Sequence, residues 1–330
     1  MNTNLCFLGE DDYIDVMTTE NEAFVRDHVK RDTLKTGDQT VLNYYHACPD
    51  EPKASVVIVH GMAEFFGKYR EYIWYLYRAG FEVFFLEQRG HGYSGGKAPE
   101  MDVIYIDSYD TYVEDLAFFI EEKVRPNTGS RPLFMIAHSM GGCIGALYLE
   151  KYPDVFKAAI LSSPMFRLKG ASYSPIVRVL IRLYGLLTGR MKKLAPNQKH
   201  FNPDARVEGS SALSPARFYF QLDMRKNDLH YQMTGASLGW ALASMSATDK
   251  VIRNAGRITT PVTVMTAGCD HLIDPEGYAA FQEKVPGADI HPYESSRHEI
   301  FNSDDATRRK YYADVIDTLF NCIGNSTFLK

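Results

Sequence analysis

The chain has 330 residues, 45% hydrophobic, 23% charged and 13% aromatic, a composition that suits one large α/β domain or two smaller ones. Its formal net charge of −5 offers no overall basic field for nucleic acid, so no nucleic-acid partner is expected. No apolar run approaches the roughly 20 residues needed to span a bilayer.

The N-terminal MNTNLCFLGEDDYIDVM lacks a positively charged start, and acids interrupt its apolar residues, so no signal peptide is read there. AFVRDHVKRDTLKTGDQTVLNYYHA has β-type residues on both sides of TGDQ, the pattern of a hairpin. ASVVIVHG is a continuous apolar run of the kind buried on both faces of a parallel sheet. KYREYIWYLYRAG follows with helical spacing and stops at Gly80. FEVFFLE then reads as a strand, SYDTYVEDLAFFIEEKV as a helix, PLFMIA as a strand, MGGCIGALYLEKY as a helix and KAAILSSP as a strand. The alternation resumes with PVTVMTAG, PEGYAAFQEKV, ADIHPYES and ATRRKYYADVIDTLFNCI. Strand and helix repeating in this way predict an α/β fold with a doubly wound, mostly parallel sheet.

Between ILSSP and PVTVMTAG the chain carries helical patterns and no buried-strand run. This stretch is expected to be an inserted helical cap over 165–240, with 1–164 and 241–330 forming the core. Sites in α/β folds lie at the C-terminal ends of the parallel strands, so a cap inserted there covers the site; the bland alternative is a peripheral decoration.

Ser139 stands in RPLFMIAHSMGG, between a buried-strand pattern and a glycine-rich helix start. A strand that turns sharply into a helix can present a serine at the apex as a nucleophile; the other reading is a tight turn that needed small residues. The usual G-x-S-x-G has Ala137 for its first glycine, which adds one methyl group, while Gly141 and Gly142 keep the other side open. A serine needs a base and a group to orient that base, and in this architecture acid and histidine follow in that order. Asp270 comes first off PVTVMTAG, and His298 falls in the loop before the last helix. Asp274, just before Pro275, fits a helix cap better. His291 lies within a strand pattern, His271 sits beside the acid, and His60 and His138 read as hydrogen-bonded core or loop histidines. Two backbone N–H groups are expected to receive an oxyanion, those of Met62, in HGMAEFFGKYRE, and Met140. Methionine side chains there fit either an acyl pocket or ordinary packing.

EQRGHGYSGG lacks the ending and spacing of a phosphate loop and reads as a loop needing positive φ angles. No histidine and carboxylate grouping has metal-ligand spacing, and HEIFN is not HExxH. Cys6, Cys48, Cys143, Cys269 and Cys322 are odd in number and scattered, with no CxxC pair. They read as free thiols of a reducing compartment, so a cytoplasmic protein without metal or cofactor is expected.

As a set, these residues resemble the serine-hydrolase branch of the α/β-hydrolase superfamily that contains monoacylglycerol lipases and bacterial lysophospholipases. VIVHGMAEFFGKYREY is similar to the branch's HGxGE segment, FEVFFLEQRGHGYSGG to its DxRGHGxS loop and IAHSMGG to its GHSMGG elbow. TAGCDHLID and SSRHEIFN resemble its acid and histidine loops. The resemblance covers nearly the whole chain. It implies Ser139 as nucleophile, Asp270 and His298 as its partners, and Met62 and Met140 as oxyanion donors. Ala63, Glu87 and Ala137 depart from the pattern without removing a reactive group, although Ala63 leaves substrate size open. Within the cap, LSPARFYFQLDMRKNDLHYQMTGASLGWALAS is more similar to the bacterial lysophospholipases than to the glyceride lipases.

SPIVRVLIRLYGLLTG starts on Ser174 and Pro175 and stops at Gly189, a helix roughly 20 Å long and too short to span a membrane. Arg178 and Arg182 share one narrow stripe, and no acid appears from Met165 to Asn202. The block either docks on anionic lipid with its apolar face at the acyl boundary, or packs that face on the core with its charges solvated. The function expected is cleavage of single-chain lipid esters, lysophospholipid or monoacylglycerol, through an acyl-enzyme. An acyltransferase or a small-ester or peptide hydrolase with the same triad is the alternative, and a binding protein on this scaffold the remote one. The oligomeric state is not read from the sequence.

Overall fold

Two short helices, α1 (Tyr13–Thr18) and α2 (Glu20–His28), precede the first strand in the computed structural model, which describes residues 5–170 and 173–324. The β-type residues of AFVRDH are therefore helical: Phe24 is buried on α2 and packs on Tyr77 with ring centroids 4.9 Å apart. Tertiary packing overrides local strand preference there. The hairpin itself is β1 (Val29–Lys35) and β2 (Val41–Ala47), closed by the Gln39 N–H donating to the Thr36 carbonyl at 2.9 Å.

β3 (Ala54–Val59), α3 (Phe66–Arg78), β4 (Phe81–Leu86), the two-residue β5 (Val103–Ile104) and α4 (Tyr109–Phe119) come next. A π-helical turn, Ile120–Val124, joins α4 to α5 (Arg125–Thr128). β6 (Leu133–His138), α6 (Met140–Lys151) and β7 (Ala158–Ser162) complete the first half. The second half holds α9 (Leu238–Asn254), β9 (Val262–Ala267), α10 (Glu276–Lys284), β10 (Asp289–Tyr293) and α11 (Asp305–Ile323), after the inserted α7 (Pro175–Leu187), α8 (Pro215–Asn227) and β8 (Gly235–Ala236).

The main sheet has eight strands in the order β1-β2-β4-β3-β6-β7-β9-β10, in which β2 alone runs antiparallel to its neighbours. This is the doubly wound, mostly parallel α/β sheet that the alternation predicts. Every residue of β3, β4 and β6 is buried, because helices cover both faces. Val59, Ala137, Leu161 and Val264 stand in register across four strands. On one face lie α3 and α11, with Tyr69, Tyr72, Tyr75, Tyr311 and Tyr312 in one core; on the other, Phe119, Ile144, Trp240 and Phe281 from α4, α6, α9 and α10 share a second.

The insertion is mostly helical but includes one short strand: β8 pairs with β5 through Val103↔Gly235 and Ile104↔Ala236. α9 starts at Leu238, ahead of the return to the core expected at 241, and packs with the sheet-covering layer. α7 has the expected Ser-Pro start and ends before Gly189, whose φ is +69°. Its facing is unusual. The inward stripe is Arg178, Ile181 and Gly185, while Ile176, Leu180 and Leu187 are 75%, 60% and 87% exposed. The apolar face therefore does not pack on the core.

Candidate active site

Four loops at the C-terminal ends of β3, β6, β9 and β10 converge. At the end of β6 the backbone swings into Ser139 with φ +53° and ψ −117°, a sharp turn that lifts the side chain above the sheet at the head of α6. The turn holds because small residues let it close. A Cβ on Gly141 would sit 2.0 Å from the Val59 carbonyl, and one on Gly142 would sit 2.6 Å from Pro164 Cβ. The Ala137 methyl is accommodated opposite Gly145, where an added Cβ would lie 3.3 Å from it.

The structure brings Ser139, His298 and Asp270 into one hydrogen-bonded line. Ser139 Oγ lies 2.8 Å from His298 Nε2, and His298 Nδ1 lies 2.6 Å from Asp270 Oδ2. Asp270 Oδ1 accepts the N–H groups of Leu272 and Ile273 at 2.8 and 3.1 Å. Burial alone would raise the Asp270 carboxyl, but its bond to His298 and those two N–H groups outweigh it and hold the acid below its ordinary value. An ionised Asp270 fixes His298 with its proton on Nδ1, leaving Nε2 as acceptor toward the serine.

Asp274 Oδ1 accepts the Glu276 N–H at 3.0 Å at the head of α10, one residue ahead of the cap position, because the helix begins at Glu276 and not at Pro275. His291 pairs with Asp289 at 2.7 Å, away from the line, and His271 only borders the cavity. His60 accepts the Gln88 N–H on Nε2 at 2.8 Å and donates from Nδ1 to the Gly61 carbonyl at 2.7 Å. Burial lowers both His60 and His138 to about 4, so both are neutral structural groups.

The turn after β3 is built by its own charges. Glu64 Oε2 accepts the Gly61 N–H at 2.5 Å and the Tyr69 hydroxyl at 2.6 Å. A Cβ on Gly61 would lie 2.9 Å from that oxygen, so the close approach requires glycine. Ala63, where the related pattern has glycine, sits at φ +59°. Among the described residues neither the Met62 nor the Met140 N–H has an acceptor. Both residues border a 550 Å³ cavity that also meets Ser139, His298, Met165, Trp240 and Met245, with Ala195, Gln198 and Thr234 of the insertion in its wall.

Sequence reasoning missed three charged residues here. Lys68 Nζ lies 2.7 Å from both Glu64 Oε1 and Glu299 Oε1, and all three side chains are largely buried. Glu64 and Lys68 show the four-residue spacing of a helical ion pair, a signal that ordinarily marks exposed surface. The EQRGHGYSGG loop does have the expected backbone: Gly90, Gly92 and Gly96 have positive φ, and a Cβ on Gly92 would strike the Glu87 carboxylate at 2.1 Å. Elsewhere His46, Cys48 and Glu82 gather ligand-type atoms within 4.8 Å. Glu82 is already engaged there by His46 at 2.9 Å and Arg131 at 2.6 Å.

Residues 50–305 match the family model described as serine aminopeptidase, S33. The chain belongs to that family. It is 28% identical over 282 residues to Escherichia coli lysophospholipase L2, covering 79% of each chain. It is also 28% identical over 259 residues to a monoacylglycerol lipase of Mycolicibacterium smegmatis, covering 77% of this chain and 84% of that one. Among solved structures, a thermostable carboxyl esterase from Bacillus coagulans superposes with a TM-score of 0.73 at 18% identity, over 90% of this chain and 99% of the other; that likeness bears on the fold. Membership in the α/β-hydrolase branch of lysophospholipases and monoacylglycerol lipases, expected from the motifs, therefore holds. The S33 match includes Ser139, Asp270 and His298 and leaves out the hairpin, α1 and α2.

Proposed function

We propose that this chain is a serine carboxylic ester hydrolase that cleaves single-chain lipid esters, lysophospholipid or monoacylglycerol. The observation that carries the reading is the Asp270–His298–Ser139 line beside a largely apolar cavity. The names of the relatives from E. coli and M. smegmatis support the substrate class. Ser139 Oγ attacks the ester carbonyl while His298 Nε2 takes its proton, and the Met62 and Met140 N–H groups receive the oxyanion. His298 then gives the proton to the departing alcohol. A water, deprotonated by the same nitrogen, releases the fatty acid. Asp270 keeps the ring in its tautomer and offsets the imidazolium charge. Each proton moves between Ser139, His298, water and substrate, so the chain's own residues suffice for the scheme. Residues 165–240 act as the cap that shields this chemistry.

The family description raises a peptidase reading. Binding a free substrate amine needs an available carboxylate, and the two on the cavity wall, Glu64 and Glu299, have their oxygens taken by Lys68, the Gly61 N–H, the Tyr69 hydroxyl and the Asn302 amide. The ester reading is favoured on that ground. Transfer to a second alcohol in place of water is a variant of the same acyl-enzyme, and product analysis with a competing alcohol separates the two.

We further read α7 as a peripheral docking element for anionic lipid. Its exposed Ile176, Leu180 and Leu187 lie beside the exposed Arg182 and Arg190, a pairing that suits acyl boundary and headgroups. No helix among the described residues is long and apolar enough to cross a membrane. Five free cysteines suit a reducing compartment and a cytoplasmic site of action.

The test is Ser139→Ala, assayed on lysophosphatidylcholine, monoacylglycerol and p-nitrophenyl esters of graded length, with fluorophosphonate labelling in parallel. The variant is expected to lose labelling and to fall by about 10⁴-fold or more in kcat. Equal labelling of variant and wild type, or preferred turnover of aminoacyl amides, overturns the reading.

A further inference from the structure

The buried charges behind the cavity join two loops that the chemistry needs in register. One is the turn carrying Gly61 and Met62, whose Gly61 N–H is held by Glu64. The other carries His298, followed directly by Glu299. Lys68 reaches both carboxylates at 2.7 Å from α3, whose next residue, Tyr69, also donates to Glu64 at 2.6 Å. Glu299 is further fixed by the Asn302 side-chain amide at 2.8 Å and by its own N–H donating to the Ser211 carbonyl at 3.1 Å.

Two acids share one ammonium in direct contact, and the largely buried Arg225 guanidinium adds its charge to the field at Glu299 from further off. Burial pushes both carboxyls up, but the Lys68 charge, together with hydrogen bonds from Lys68, Tyr69 and Asn302, more than offsets it and holds Glu64 and Glu299 below their ordinary value. Burial likewise works against the Lys68 charge, and the two acids reverse it. The ammonium therefore draws together two side chains that would otherwise repel. Each arm ends one residue from a working group: Gly61 precedes Met62, and Glu299 follows His298.

We propose that Lys68 is a positioning residue, its ammonium fixing the separation between the oxyanion turn and the histidine loop through Glu64 and Glu299. The inference rests on the ester-hydrolase reading. Lys68 touches no substrate; its effect is geometric. Built on a core helix, it supplies the support that a site on two loops lacks. A misplacement of about 1 Å between catalytic groups can cost about 100-fold in rate.

The experiment compares wild type with Lys68→Met on any ester the wild type turns over. It also measures the affinity of a trifluoromethyl ketone, whose carbonyl adds Ser139 Oγ to give a hemiketal with its oxyanion in the same turn. Lys68→Met is expected to lower kcat by about 100-fold with KM unchanged, and to weaken the ketone by the same factor as kcat/KM. Lys68→Arg, which keeps the charge and can span both acids, is expected to recover most of the rate. The triple variant Lys68→Met/Glu64→Gln/Glu299→Gln removes the charge mismatch. It should regain melting temperature without regaining kcat, and it carries the test where Lys68→Met alone does not fold. Unchanged kcat in folded Lys68→Met, or rate returning with stability in the triple variant, overturns the proposal. Such a result leaves the role of Ser139 standing, because that role is read from Ser139→Ala alone.

Discussion

The inserted segment contains two helices of equal length and like start that meet opposite surroundings. α7 and α8 each have 13 residues, each opens on Ser-Pro, and in each the serine caps the first turn. α8 buries Arg217 completely. Its guanidinium grips Glu71 of α3 at 2.6 and 2.8 Å, lies 3.4 Å from Glu10, and stacks 4.1 Å over the Tyr13 ring. α7 buries only Gly185, which faces Met191 and Leu238, and adds a partly exposed Arg178–Asp249 pair at 2.6 Å. Local sequence therefore makes both helices, and partners decide which one is fixed. Lifting α8 away would strand a buried charge, at about 3–5 kcal/mol. On the α7 side the ion pair at stake is of the exposed kind, worth about 0–1 kcal/mol. α7 is thus the less firmly held of the two, and its apolar face already points outward.

The largest effect that would break this contrast is in Arg217→Met. Glu71 would keep only the Tyr75 hydroxyl at 2.8 Å, and stability should drop by about 3–5 kcal/mol in urea unfolding. A loss below 1 kcal/mol, on the order of an exposed pair, would mean that α8 is no more tightly held than α7. Next is Leu180→Asp/Leu183→Asp on the exposed face of α7. Stability should stay within about 0.5 kcal/mol of wild type. Sedimentation with phosphatidylglycerol vesicles should fall steeply, since each leucine buried in lipid contributes about 1.5–3 kcal/mol. If the double variant instead loses stability or a self-association seen by size exclusion, the face covers protein, not lipid. Smaller again, Arg182→Gln and Arg190→Gln should each cost about 1 kcal/mol of binding to anionic vesicles and nothing on phosphatidylcholine.

The same contrast shows what the sequence makes legible. Ser139 and Asp270 could be found because each comes within three residues of the end of a buried strand, and His298 because it falls in the loop between β10 and the last helix, so local patterns place distant side chains. Helix α7 was legible from Ser174, Pro175 and Gly189, but not its orientation. Periodicity separates a polar from an apolar face without saying which meets the protein, and here the stripe through Arg178 and Gly185 turns inward. Arg217 gave no warning at all. An arginine in PARFYF reads as surface until Glu10 and Glu71 arrive from elsewhere in the chain, and Glu10 lies outside the 50–305 family match. The Lys68 bridge was hidden for the same reason, since Glu299 joins it only through tertiary contact. Helix α2 departs from its β-type residues because burial of Phe24 outweighs strand propensity.

The finest division between the two helices lies in their caps. Ser174 Oγ accepts only the Val177 N–H, at 3.4 Å, so Ser174→Ala should cost well under the typical cap value of about 1 kcal/mol. Ser214 Oγ accepts the Arg217 N–H at 3.3 Å and also donates to Glu10 Oε2 at 2.5 Å. Ser214→Ala removes a cap together with a hydrogen bond to a charged group, worth about 1.5–3 kcal/mol. The expected order in urea unfolding is Ser214→Ala well below Ser174→Ala, with Ser174→Ala close to wild type. Equal losses would show that the cap bond alone sets the cost, and that the N-terminal segment carrying Glu10 contributes nothing to holding α8. A larger loss at Ser174 would reverse the assignment of which helix is anchored.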